Sequence, residues 1–190
     1  MEGSLFEEEF LSEELTLSKT DVVRRQLNTG IRMFFFDWDP VALHTVVSAG
    51  HEVARDLAHS TGIKKSIKDS PLLSESERKK FIDAVNYPQN FFKHADRDPH
   101  SRMAFRYRLI PLFILDAVMQ YIAIGEESTH EMKVFLIWVQ LKYPSLLRYE
   151  PVEADLSKIR STTKNPNSFR ALAKVLLNEP GRVGNSLPTR

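Results

Sequence analysis

The sequence predicts an all-α protein: an antiparallel helical bundle of about five main helices plus short helices. Three observations carry that expectation. Apolar residues recur at helical spacing through long stretches. Only seven glycines interrupt the 190 residues. The breaks fall at capping residues and prolines, and no regular alternation of the kind that marks paired strands is sustained.

The elements follow in chain order. Residues 1–17 form an acidic N-terminal segment, with Glu2, Glu7, Glu8, Glu9, Glu13 and Glu14 and no base before Lys19; it is expected to be frayed. Ser18, with Asp21 in the first turn, starts a helix that runs to about Phe36. Val23, Leu27, Gly30, Ile31 and Phe34 make its core face. Asp39 caps the next helix with Pro40 at its first position, where the missing N–H is harmless, and Gly62 closes it. A Lys-rich loop over 63–73 leads to a third helix opened by Ser74-Glu75-Ser76-Glu77. That helix is expected to end near Val85, break at Asn86-Tyr87-Pro88, and resume briefly from Gln89 to Ala95. A charged loop follows, and Met103–Leu109 alternates weakly enough to suggest extended chain. Pro111 suits the first turn of a helix ending near Gly125, and Ser128 or Thr129 starts another that stops at Tyr143-Pro144. Residues 145–167 read as irregular, Phe169–Asn178 as a short amphipathic helix, and 180–190 as a flexible tail. Residues 18–179 are thus expected to form a single helical domain.

Composition removes several classes of chemistry. The chain has no cysteine, so disulfide scaffolds, thiol catalysis and cysteine-ligated metals are excluded. The start of the chain lacks the basic and apolar regions of a signal peptide. The most apolar run, 109–124, contains Pro111, Asp116 and Gln120 and falls short of the about 20 residues a membrane span needs. A cytoplasmic protein that does not enter membranes is expected. Net charge is +1, from 26 bases and 25 acids, but the bases gather late: Lys158, Arg160, Lys164, Arg170, Lys174, Arg182 and Arg190 face Glu179 alone over residues 156–190. This basic C-terminal region is either solvated or a surface for nucleic acid or a protein partner. The helices over 110–124 and 129–143 are apolar nearly all round, which places them at the centre of a bundle or in a subunit interface, so a homodimer is expected.

Three features are candidates for chemistry. His44, Ser48, His51 and Arg55 share one stripe of the second helix. Two histidines seven residues apart stand about 10 Å from each other along a helix, too far to chelate one ion unaided. They can relay a proton, hold a phosphate, or simply bond their neighbours at the edge of the core. Asn90 and His94 are one turn apart, beside Phe91 and Phe92, and form either a preorganised polar pair or a helix terminus. Asp116 lies in an apolar helix. An unpaired buried carboxylate costs several kcal/mol, so a partner among His44, His51 and His94 is expected. Together they suggest a polar pocket lined by His44, His51, Arg55, Asn90, His94 and Asp116. No HExxH, no GxSxG and no paired Glu-x-x-His pattern of the di-iron kind occurs, and no metal or cofactor is assigned. A His/carboxylate metalloprotein would need some subset of His44, His51, His94, His130, Asp116 and Glu52 to meet.

The segments Asp39-Pro40-Val41-Ala42-Leu43-His44-Thr45 and Asn90-Phe91-Phe92-Lys93-His94-Ala95 resemble those of uncharacterised bacterial helical proteins and, more distantly, HEPN domains. The latter are small helical bundles that dimerise, and their catalytic members are metal-independent ribonucleases. The resemblance spans about residues 18–143. The family's signature is an arginine followed after four to six residues by histidine. Asn90 and His94 match the polar residue and the histidine, while Gln89 stands where the arginine belongs. The resemblance therefore implies a non-catalytic branch, a binding or regulatory module. The alternative is a ribonuclease with His94 as acid–base residue and Arg55 or Lys93 on the phosphate charge.

Overall fold

Local chemistry sets the helix boundaries. Ser18 Oγ accepts from the Asp21 N–H at 3.0 Å while Asp21 Oδ2 accepts from the Ser18 N–H at 3.1 Å, a complete capping box. It opens helix α1, Lys19–Phe35. Asp39 Oδ1 accepts from the N–H groups of Val41 and Ala42 at 2.9 and 3.0 Å, and α2, Pro40–Ser60, starts behind it. Helix α3 spans Glu75–Lys93. A 3-10 turn, Tyr107–Leu109, runs straight into α4, Ile110–Ala123. Thr129 caps α5, His130–Lys142, through the Met132 N–H at 3.2 Å, and α6 spans Pro166–Asn178. The computed structural model describes residues 14–63, 66, 74–94, 96, 98–144, 163 and 166–178. Among these the protein is all-α, with no strand.

Contacts give the helix directions. Gly30 of α1 faces Val47 of α2, and Gly50 of α2 faces Gln26 and Leu27, so α1 and α2 pack as an antiparallel hairpin. A Cβ on Gly30 would stand 2.5 Å from Val47 Cγ2, so glycine is what permits this approach. The pairs Glu52–Gln89 and His44–Phe92 set α3 antiparallel to α2. His44 and His51 meet Phe113 and Asp116 in the same order along both chains, so α4 runs alongside α2 in the same direction. Likewise α5 runs alongside α1, from Asn28–Thr129 to Phe34–Trp138. The core between them is aliphatic around Leu27, Ile31, Ile114 and Met132, and aromatic where Phe34, Phe35, Phe135 and Trp138 meet edge to face.

Helix α6 lays Phe169, Ala173 and Leu177, four residues apart and all buried, against α5 and α1. Two arginines fasten it. Arg32 donates to Glu131 Oε1 at 2.8 and 3.1 Å and to the Leu177 carbonyl at 2.5 Å. Arg170 donates to the Phe34 carbonyl and, at 2.5 Å, to Asp37, and Lys174 reaches the other Asp37 oxygen at 3.0 Å. Asp37 sits in the turn between α1 and α2 with φ of 58°, the left-handed region that asparagine and aspartate tolerate best among residues with side chains. Partial desolvation would raise its pKa, but the hydrogen bonds from Lys174 and Arg170 outweigh this and hold it below the ordinary carboxylate value.

The all-α bundle is as expected, with six helices among the described residues. Three expectations of detail need correction. Helix α3 does not break at Asn86-Tyr87-Pro88; it passes through Pro88, which is buried. Proline forfeits one backbone bond there, and packing holds the helix together across it. Residues 101–106 are irregular rather than extended, because Phe105 follows an aromatic cluster, 5.3 Å from both His44 and Phe92, and no strand is available to pair with. Helix α6 begins at Pro166, three residues before Phe169. Of the apolar residues on the two helices expected to reach a subunit interface, Phe113, Ile114, Tyr121, Phe135 and Trp138 are buried within the single chain and Ile137 is half-buried. The expectations for residues 1–13, for most of the 63–73 loop, for 145–162 and for the tail 180–190 lie outside the described residues.

Candidate functional site

A buried polar cluster sits between α2 and α4. His51 Nε2 meets Asp116 Oδ2 at 2.6 Å, and both side chains are almost inaccessible, 2% and 1% exposed. Ser66 Oγ donates to the same oxygen at 2.8 Å, and the Gln120 amide donates to it at 3.2 Å. Gln120 is one helical turn after Asp116, as the sequence spacing requires. The expected partner of Asp116 is therefore His51. The bond fixes chemistry as well as position. A carboxylate oxygen only accepts, so the hydrogen of this bond sits on Nε2. Phe113 stacks on the ring at 4.5 Å with an interplanar angle of 23° and locks its orientation.

The other edge of His51 borders a polar pocket of about 280 Å³ between α2 and α3. The α2 wall adds Glu52 and Arg55, and the α3 wall carries Asn86, Gln89, Asn90, Lys93 and His94. Arg55 makes a long ion pair of 3.7 Å with Asp56, whose carboxylate lies 69% exposed. Gln89 donates to Glu52 at 3.0 Å and ties the two walls together. His94 Nδ1 stands 3.9 Å from Asp96. Lys93 has no ion-pair partner among the described residues. The pocket thus offers two cations, one carboxylate already accepting a bond, two imidazoles and several amides.

Of the six residues expected in one polar pocket, His51, Arg55, Asn90 and His94 line it. Asp116 backs it through His51. His44 stands elsewhere: it packs among Phe92, Phe105 and Phe113, 5.3–5.8 Å from each ring, on the apolar side of the stripe. Glu52 and Lys93, expected only on the metalloprotein and ribonuclease alternatives, line it too, and Asn86 and Gln89 were missed. Asn86, Gln89, Asn90 and Lys93 are spaced as one face of a continuous helix, and the break expected at Pro88 concealed that face.

Among the described residues no three His, Asp or Glu side chains gather closely enough to hold a metal ion. Of the set a metalloprotein would need, His51 and Asp116 meet. No described helix is long and apolar enough to cross a membrane. No protein-family model matches the chain, and neither a curated protein nor a solved structure matches it.

Proposed function

We propose that this chain is a binding module whose α2–α3 pocket takes a ligand bearing an anionic oxygen group, phosphate or carboxylate. Arg55 and Lys93 supply charge, Asn90 and His94 supply directional hydrogen bonds, and His51 forms a wall held from behind by Asp116. The observation that supports this reading is the Asp116–His51 pair. A carboxylate with its histidine is buried where it fixes one imidazole edge toward a pocket with two cations. Inorganic phosphate titrated into the protein, followed through the imidazole carbon–proton NMR signals, tests it. The signals of His51 and His94 are expected to move saturably, and Arg55→Ala with Lys93→Ala to weaken the response at least tenfold, a loss of about 1.4 kcal/mol or more. Unmoved histidine signals, or an unchanged response in the double variant, refute it.

A second reading, the HEPN-like metal-independent ribonuclease, is favoured by Asn90 and His94 bordering the same pocket as Arg55. There His94 would move the proton and Arg55 or Lys93 would meet the phosphate charge. RNA cleavage that survives a chelator and disappears in His94→Ala is its test. On either reading the HEPN resemblance adds a cytoplasmic homodimer of bacterial type, and the basic C-terminal region adds a nucleic-acid or protein partner. Sedimentation of the purified chain tests the dimer.

A further inference from the structure

A second cavity, of about 780 Å³, opens where the α1–α2 turn, the start of α4 and the end of α5 come together. Its volume lies in the range of small-molecule sites, roughly 300–1,000 Å³. Its lining is of two kinds. Trp38, Tyr107, Trp138 and Tyr143 supply aromatic surface, and Arg108 and Lys142 supply charge. The one carboxylate in the wall, Asp37, is neutralised by Arg170 and Lys174, so the free charge facing the cavity is positive.

The aromatic surface is unusually open. Trp38 is 60% exposed and Tyr107 53% exposed. Two large exposed rings thus border one cavity. The backbone of Trp38 is held there: its main-chain N–H bonds the Met33 carbonyl at 3.0 Å through the turn, and the left-handed Asp37 before it is pinned by two bases. Lys142 lies 4.8 Å from the Trp138 ring centre and 5.5 Å from that of Tyr143, so a cation is already stationed over the aromatic floor. Arg108 has no ion-pair partner among the described residues.

We propose that this cavity binds a nucleotide, with the base stacked on the aromatic wall of Trp38 and Tyr107 and the phosphate met by Arg108 and Lys142. Stacking rings alone fit any flat apolar ligand, and cations alone fit any anion. A planar ring joined to a phosphate uses both at once. The site is separate from the α2–α3 pocket and does not depend on it.

The chain's two tryptophans both border this cavity, so intrinsic fluorescence reads the site directly. AMP and a short single-stranded oligoadenylate are titrated in turn, with inorganic phosphate and adenosine as controls. Saturable quenching by AMP is expected, with adenosine and phosphate each at least tenfold weaker. Arg108→Ala should weaken AMP at least tenfold. Tyr107→Ala, which leaves both tryptophans in place, should do the same. Quenching by the oligonucleotide at least tenfold tighter than by AMP identifies a nucleic-acid strand as the source of the nucleotide; equal affinity identifies the free nucleotide. No quenching by either at millimolar concentration, or quenching that Arg108→Ala and Tyr107→Ala leave unchanged while both variants keep the wild-type circular dichroism, overturns the proposal. The tryptophan readout here and the histidine signals of the other pocket keep the two failures apart.

Discussion

Replacing Asp116 removes the acceptor on which His51, Ser66 and Gln120 converge. All three bonds end on one oxygen, Oδ2, at 2.6, 2.8 and 3.2 Å. The group is buried, so water does not replace what is lost. Three buried donors left without their acceptor cost about 1–3 kcal/mol each, and taken in the lower half of that range the loss is about 3–5 kcal/mol. For a chain of this length each kcal/mol moves Tm by roughly 2–4 °C, so Asp116→Ala should melt about 6–20 °C below wild type. Asp116→Asn keeps the shape and an accepting oxygen but gives up the charge. Hydrogen bonds to charged groups exceed neutral ones by about 1 kcal/mol each, so across three bonds this variant should lose about 1–3 kcal/mol, less than the alanine variant. Urea unfolding of the three proteins, followed by circular dichroism, measures both differences. A loss below about 1 kcal/mol in Asp116→Ala would show that the three donors find other partners, and would refute the claim that Asp116 anchors the cluster.

Gly30→Ala should destabilise by about 1 kcal/mol, because overpacking against buried Val47 costs about 1–3 kcal/mol and the gain in helix propensity returns about 1. Gly50→Ala, whose Cβ would meet Gln26 Cβ at 3.2 Å, should be nearly neutral; equal urea midpoints for the two variants would contradict the close α1–α2 approach. Asp37→Asn isolates the charge of Asp37, since asparagine also accepts the left-handed backbone. The folded pKa of Asp37 is lowered, so its contribution is full above the unfolded value of about 3.9 and disappears as pH falls through the lower folded value. Asp37 is 62% exposed, so wild type should exceed the variant by no more than about 1 kcal/mol between about pH 5 and 7, converging with it below about pH 3. A gap that persists in acid would place the effect in the backbone.

What the sequence made readable was chemistry that acts within a few residues. Ser18 with Asp21, and Asp39 with Pro40, cap the helices they were expected to cap, because a cap needs only its own first turn. The burial of Asp116 could also be reasoned out: an apolar helix leaves a carboxylate no route to water, and His51 answers it. Pro88 was misread because a proline's local penalty is visible and the packing that overrides it is not. His44 and His51 share a helical face, yet two turns of rise carry one into an aromatic cluster and the other to a polar pocket. That difference belongs to α3 and α4, not to α2. The larger cavity was invisible for the same reason. Trp38, Tyr107, Arg108, Lys142 and Tyr143 come from separate stretches, and no spacing rule connects them. Arg170 and Lys174 looked like part of a basic end offered to a partner, and the fold commits both to Asp37.

The arginine fastenings of α6 have a kinetic side. Arg32 reaches across 99 residues to Glu131 and 145 to Leu177, and Arg170 reaches back 133 to Asp37. Contacts of such separation pay their loop-closure entropy before they return anything, so they form late. The α1–α2 hairpin, closed through a four-residue turn, needs no such wait. Helix α6 is therefore expected to dock late, and native-state hydrogen exchange should show its amides opening at a smaller free energy than those of α1 and α2. Such an opening would withdraw Arg170 from the wall of the aromatic cavity and release Asp37. The cavity's charge and shape would then follow the seating of one helix, and a ligand that prefers the closed wall would tighten the whole bundle when it binds.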